Sequence, residues 1–226
     1  MTYAFNPVPQ PTLPIKGSDK LFPVHRIYCV GRNYAAHTKE MGGDVKDPPF
    51  FFQKNADNVA VDGRFPYPSS TGNVHFEVEL VVALKSGGVS IKPADAMRHV
   101  FGYAVGIDMT RRDLQDAAKK LARPWEVAKA FEHSAPCSAL VPAQDVENPG
   151  KGAIRLDVNG ERKQTGDLSQ MIWNIAEQIA FLSELFELKA GDLIFTGTPS
   201  GVGAIRKGDK LTAHIDGVGD LEVIVV

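Results

Sequence analysis

The chain has little cysteine, no long apolar run and no excess of charge of either sign, and each shortage removes a class of protein. Cys29 and Cys137 are the two cysteines among 226 residues, far apart and in no Cys-x-x-Cys pair. A disulfide framework and a structural zinc site are therefore poor readings, and both residues read as small reduced core side chains. The longest unbroken apolar run, residues 80–84, is far short of a membrane span. Lys plus Arg is 25 and Asp plus Glu is 27, with a pI near 6.3. No basic block offers a nucleic-acid footprint, and a small molecule is the expected partner. The start of the chain lacks the basic and apolar regions of a signal peptide, so a soluble cytoplasmic protein is expected. There is no Gly-x-Ser-x-Gly elbow and no strand-to-helix dinucleotide fingerprint.

What is present is a folded, mixed chain: 43% hydrophobic and 23% charged, which excludes disorder. Residues 1–21 carry Pro7, Pro9, Pro11 and Pro14 and read as an extended proline-rich arm, leaving residues 22–226 as one catalytic domain. Short strands are expected at 27–30, 50–52, 101–107 and 193–196, with residues 63–72 a loop rich in proline and glycine. Asn159-Gly160 marks a type I′ hairpin, and two closing strands meet around Asp216-Gly217. Helices are expected at 93–99 and after three caps. Asn33 opens one to about residue 41, Thr110 with Asp113 one to about 122, and the box Asn174…Glu177 one to about 188. The sum is an α+β, β-rich fold.

Four constellations carry chemistry. Glu77 and Glu79 are two apart on an alternating stretch and share a face, and Asp108 ends an apolar strand. Adjacent carboxylates repel unless a proton or cation separates them, and three of them suit a hard cation such as Mg²⁺ or Mn²⁺. The spacing alone equally describes a solvated outer strand face. His37 and Glu40 stand three apart, as an imidazole base and its orienting carboxylate would, or as a plain surface pair. The stretch Thr196-Gly197-Thr198-Pro199-Ser200-Gly201-Val202-Gly203 allows close backbone approach to a ligand, or is a tight turn. Lys129, between Ala128 and Ala130, is a buried catalytic cation or a snorkelling lysine.

Together the segments Val30-Gly31-Arg32-Asn33-Tyr34-Ala35-Ala36-His37, His75-Phe76-Glu77-Val78-Glu79-Leu80, Gly106-Ile107-Asp108-Met109-Thr110-Arg111-Arg112-Asp113-Leu114-Gln115 and 196–203 resemble the fumarylacetoacetate hydrolase family. The likeness runs in order from about residue 25 to 226 and is nearest the short acylpyruvate hydrolases. It implies a mixed β-sandwich roll with peripheral helices, usually a homodimer. It further implies Glu77, Glu79 and Asp108 as ligands of Mg²⁺ or Mn²⁺, His37 and Glu40 as the base and its partner, Lys129 and Gln115 beside the cleaved bond, and Arg112 and Thr198 as substrate contacts. The implied reaction is hydrolysis of the C–C bond of a 2,4-dioxo acid such as fumarylpyruvate. Oxaloacetate decarboxylation and keto–enol isomerisation on the same scaffold are the alternatives.

Overall fold

The structure, a computed structural model, describes residues 2–35 and 48–226. His37 and Glu40, with most of the helix expected after Asn33, lie outside the described residues.

A six-stranded mixed sheet runs through the centre, in the order Val141–Pro142, Val100–Ile107, Val78–Leu84, Leu193–Phe195, Ile27–Val30, Phe51–Lys54. Its pairs are antiparallel except Leu193–Phe195 against Ile27–Val30. A five-stranded sheet follows the order Glu161–Asp167, Ala153–Val158, Lys210–Ile215, Gly219–Val225, Arg64–Phe65. Alternation decides how the two meet. Val78, Leu80, Val82 and Leu84 point to the second sheet and join Ile154, Leu156, Leu211, Ala213 and Val223 in one large aliphatic core. Val81, Ala83, Ala104, Cys29 and Phe195 point the other way into a smaller core, closed by Leu13 of the arm, by Phe22 just after it and by Ala135, Cys137 and Leu140. From Thr12 the arm lies on the domain, where Thr12–Pro14 pairs with Leu21–Pro23 and Lys16 N–H donates to Leu140 O at 2.8 Å.

Several expectations hold in detail. Asn159 and Gly160 both have positive φ, 54° and 82°, as the hairpin turn requires. Asn174 Oδ1 accepts from Glu177 N–H at 3.0 Å while Asn174 N–H donates to Glu177 Oε2 at 2.8 Å, a complete capping box. Its helix, Ile175–Leu185, stops short of residue 188, because Leu188 exchanges backbone hydrogen bonds with Gly88. Thr110 caps nothing. It lies in the two-residue strand Thr110–Arg111, its hydroxyl held by Lys129 and Asp108, and the helix Arg112–Lys120 starts beyond it. The edge strand Phe51–Lys54 is half-buried rather than a core strand, and the 63–72 loop contains the short strand Arg64–Phe65.

Candidate active site

Glu77 stands where one extended stretch changes sheets. Val74–Phe76 pairs with Thr110–Arg111 and Gly203–Ala204, whereas Val78–Leu84 belongs to the central sheet. Glu79 and Asp108 project on the face of the smaller core, not into solvent. Glu77, Glu79 and Asp108 are 5%, 2% and 1% exposed, which excludes the outer-strand reading. One oxygen from each lies within 4.8 Å of the others. Asp108 N–H donates to Glu77 O at 2.8 Å, fixing the two carboxylates to one another through the backbone.

Three basic side chains close around them. Lys129 Nζ contacts Glu77 Oε2 at 2.7 Å, Asp108 Oδ2 at 2.6 Å and the Thr110 hydroxyl at 2.6 Å. Lys129 is thus a buried, fully engaged cation and not a snorkelling one. Burial pulls its ammonium pKa down, but Asp108 and Glu77 more than reverse this and hold it raised. Arg112 donates to Glu77 Oε1, to Gln115 Oε1 at 2.6 Å and to His75 Nδ1 at 3.3 Å. Arg112 therefore orders a carboxylate of the cluster, and it holds the His75 pKa low, an effect second to that of burial. The third cation, Lys54, was invisible to sequence reasoning. Its fully buried Nζ lies 2.8 Å from Asp108 Oδ1, donates to Met109 O at 3.3 Å and to Lys129 O, and sits over the Phe131 ring. A lysine closing a short edge strand gives no signal of its own; the register, which sets Lys54 opposite Ile27, turns it inward.

Three carboxylates thus meet three basic groups, so a metal ion is not needed merely to relieve their repulsion. Within this balance Glu79 is singular: among the described residues it has no ion pair. Burial, then Asp108 and Glu77, push its pKa well above the carboxylate range, opposed by Lys129 and by the Gly197 N–H, which donates to Glu79 Oε2 at 2.8 Å. Gly197 has φ 96°, and a Cβ there would stand 2.7 Å from Asn33 Cβ. Asn33, read from the sequence as a helix cap, clamps this corner. Its Nδ2 donates to Thr196 O at 2.7 Å and to Trp173 O at 3.0 Å, and its Oδ1 accepts from Trp173 N–H.

The structure therefore brings Glu77, Glu79, Asp108, Lys129, Arg112 and Gln115 into one buried cluster, with Thr198 one residue past the amide that holds Glu79. Glu77, Arg112, Gln115 and Lys129 line a small pocket with Gly31 and Arg32, and a cavity of about 300 Å³ is lined by Tyr34, Ala35, Thr165, Gln170 and the residues after Thr198, Pro199 and Ser200. Among the described residues no helix is long and apolar enough to cross a membrane.

This arrangement of sheets and carboxylates has relatives. Residues 26–226 match the family model of the fumarylacetoacetate (FAA) hydrolase C-terminal domain, and the chain belongs to that family. It is similar to a fumarylpyruvate hydrolase from Pseudomonas aeruginosa, whose crystal structure holds Mn²⁺ and pyruvate, at 52% identity over 100% of this chain and 99% of that one, with a TM-score of 0.97. It is also 46% identical to the mitochondrial oxaloacetate tautomerase of Rattus norvegicus, over 85% of this chain and 87% of that protein. With a fumarylpyruvate hydrolase of Ralstonia sp it shares 42%, over 78% and 92% of the respective chains.

Proposed function

We propose that this chain is a divalent-cation-dependent acylpyruvate hydrolase that cleaves fumarylpyruvate to fumarate and pyruvate. The observation that carries the reading is the buried all-oxygen triad Glu77, Glu79 and Asp108, in a chain alike from end to end to an enzyme that binds Mn²⁺ and pyruvate. The donor set fits the ion. All three ligands are hard oxygens, and buried Asp108 Oδ1 accepts no hydrogen bond among the described residues and lies 2.8 Å from the Lys54 ammonium. A bound divalent cation would supply Lewis acidity to the carboxylate and 2-oxo oxygens of the substrate. Added to three carboxylates and three basic groups it leaves a surplus of two positive charges, which a dianionic enol acid removes.

His37, oriented by Glu40, takes a proton from water in this reading; both roles follow from the sequence resemblance. The water oxygen adds to C4 of the dioxo acid. Lys129, kept charged by its carboxylate partners, would lend its positive charge to the developing oxyanion. Arg112 occupies Gln115 Oε1, which leaves Gln115 Nε2 as the end that can donate to the same oxygen. The C3–C4 bond then breaks, its electrons pass to the pyruvyl half as an enolate, and protonation at C3 completes pyruvate.

Oxaloacetate tautomerisation is the second reading, supported by the 46% identity to the rat tautomerase. Equal amounts of enzyme with Mg²⁺ are compared on fumarylpyruvate, by pyruvate release, and on oxaloacetate, by enol–keto conversion and CO₂ release. The hydrolase reading requires the larger kcat/KM on fumarylpyruvate. A larger value on oxaloacetate replaces it with the second reading.

A further inference from the structure

Gln164 belongs to the five-stranded sheet, yet its fully buried amide serves the site in the other sheet. Its Oε1 accepts from Val78 N–H at 3.0 Å. Val78 lies between the carboxylates Glu77 and Glu79, at the point where the chain leaves one sheet for the next. Its Nε2 donates to Thr198 Oγ1 at 2.8 Å and to Pro199 O at 2.8 Å. Gln164 thus spans the carboxylate segment and the 196–203 loop, and both partners of Nε2 are acceptors. The loop is pressed onto this strand: a Cβ on Gly201, at φ 96°, would lie 2.2 Å from Lys163 O.

We propose that Gln164 is a positioning residue that makes the Thr198 hydroxyl an obligatory donor to the substrate. The chemistry follows from the direction of one hydrogen bond. With Gln164 Nε2 donating, the hydroxyl must direct its own proton elsewhere, and among the described residues no group accepts it. Thr198 is 2% exposed, and Pro199 and Ser200, which follow it, line the cavity of about 300 Å³. A buried donor without an acceptor suits a ligand that brings oxygen acceptors and no proton of its own, as a 2-oxo carboxylate does. The same donor would be left unpaired by an analogue that places an ammonium or a methyl group at that position. The inference rests on the proposed function and on the substrate contact that the sequence resemblance implies for Thr198.

The test is a double-mutant cycle on the full chain loaded with saturating Mn²⁺, with the dissociation constant of pyruvate measured by calorimetry. Gln164→Glu retains an acceptor for Val78 N–H but replaces the donor by a second acceptor, which draws the Thr198 proton inward. Thr198→Val removes the hydroxyl. Each single change is expected to weaken pyruvate binding about tenfold, and the double variant to bind no more weakly than Thr198→Val alone. Should Gln164→Glu fail to fold, the neutral Gln164→Met enters the same cycle. An effect of Gln164 that recurs undiminished without the Thr198 hydroxyl overturns the proposal, since charge or general loosening would then be the cause. Unchanged binding in the single Gln164 variant overturns it too. Failure of the parent protein to bind pyruvate with Mn²⁺ removes the substrate reading itself and this inference with it.

Discussion

The two faces of the central sheet solve opposite problems with the same strands. On one, Val78, Leu80, Val82 and Leu84 meet the second sheet and the helix Ile175–Leu185 in a continuous aliphatic core. On the other, small side chains such as Ala83, Ala104 and Cys29 leave room for Glu79, Asp108 and Lys54. Burial itself pushes the Cys29 thiol pKa well up, and Asp108 adds to this, so the cysteine beside the cluster stays a neutral thiol. The first face stabilises the fold by dispersion and dehydration. The second holds charges that are tolerable only as a complete set. The lesson is that the polar face is far less forgiving of a single deletion.

The sharpest break of that comparison is Asp108→Asn. It deprives Lys54 and Lys129 of their common anion, so the metal-free protein should lose about 3–5 kcal/mol in denaturant titration. Turnover should fall more than about a hundredfold, since changes to mere supporting groups around a metal already reach that size. Glu79→Gln is the counter-case, because Glu79 carries no ion pair among the described residues. Its metal-free melting temperature should match or exceed the parent's while affinity for Mn²⁺ drops. A loss of stability as large as that of Asp108→Asn would show that the two carboxylates are equivalent.

On the apolar face, Leu80→Ala should destabilise by about 2–5 kcal/mol through lost transfer energy and a residual cavity. The Mn²⁺ affinity of the folded variant should stay at the parent value in titration; a tenfold change would mean that the faces are not separable. Mn²⁺ at about a hundred times its dissociation constant should add roughly 2.7 kcal/mol of stability to the parent, reversed by EDTA. The melting temperature reports this directly, and no rise would argue against a site in the native fold.

The smallest effect lies on the rim. Partial burial raises the Asp113 pKa, but hydrogen bonds from the Thr71 hydroxyl at 2.6 Å and from the Gly72 and Leu114 N–H groups outweigh this and hold it below the ordinary carboxylate value. A depressed folded-state value stabilises the fold above the unfolded carboxyl's titration, and the gain fades as pH falls through the folded value. Asp113→Asn should therefore melt slightly below the parent at pH 7, with the gap closing below about pH 4. A gap independent of pH would assign the effect to packing.

What the sequence made legible was local or alternating. The Asn159-Gly160 turn, the Asn174–Glu177 box and the period-2 run from Val74 each state their structure within a few residues. The same run left Glu77 and Glu79 ambiguous between solvent and interior, because alternation says that a second face exists and not what covers it. The cover comes from residues 12–24 and 135–140, distant in the chain. Lys54, Gln164 and the clamping role of Asn33 were missed for a related reason. Each acts on a partner in another segment, 140 residues away for Asn33 and Trp173 and 86 for Gln164 and Val78. Thr110 was misread as a cap because the local pattern was genuine, yet Lys129 and Asp108 claim its hydroxyl.

The Gly197 N–H that holds Glu79 lies 118 residues further along the chain, and this separation sets the order of events during biosynthesis. At roughly 5–20 residues per second, a ribosome that has just released Glu79 takes on the order of ten seconds to deliver the amide. Lys54 precedes Glu79, and Asp108 and Lys129 emerge in that interval, so the ion pairs can form before Glu79 is held. The nascent chain thus passes through a stage with its cations paired and one acid unanchored. The corner around Gly197 closes late, after the acids and cations of the cluster have all been made.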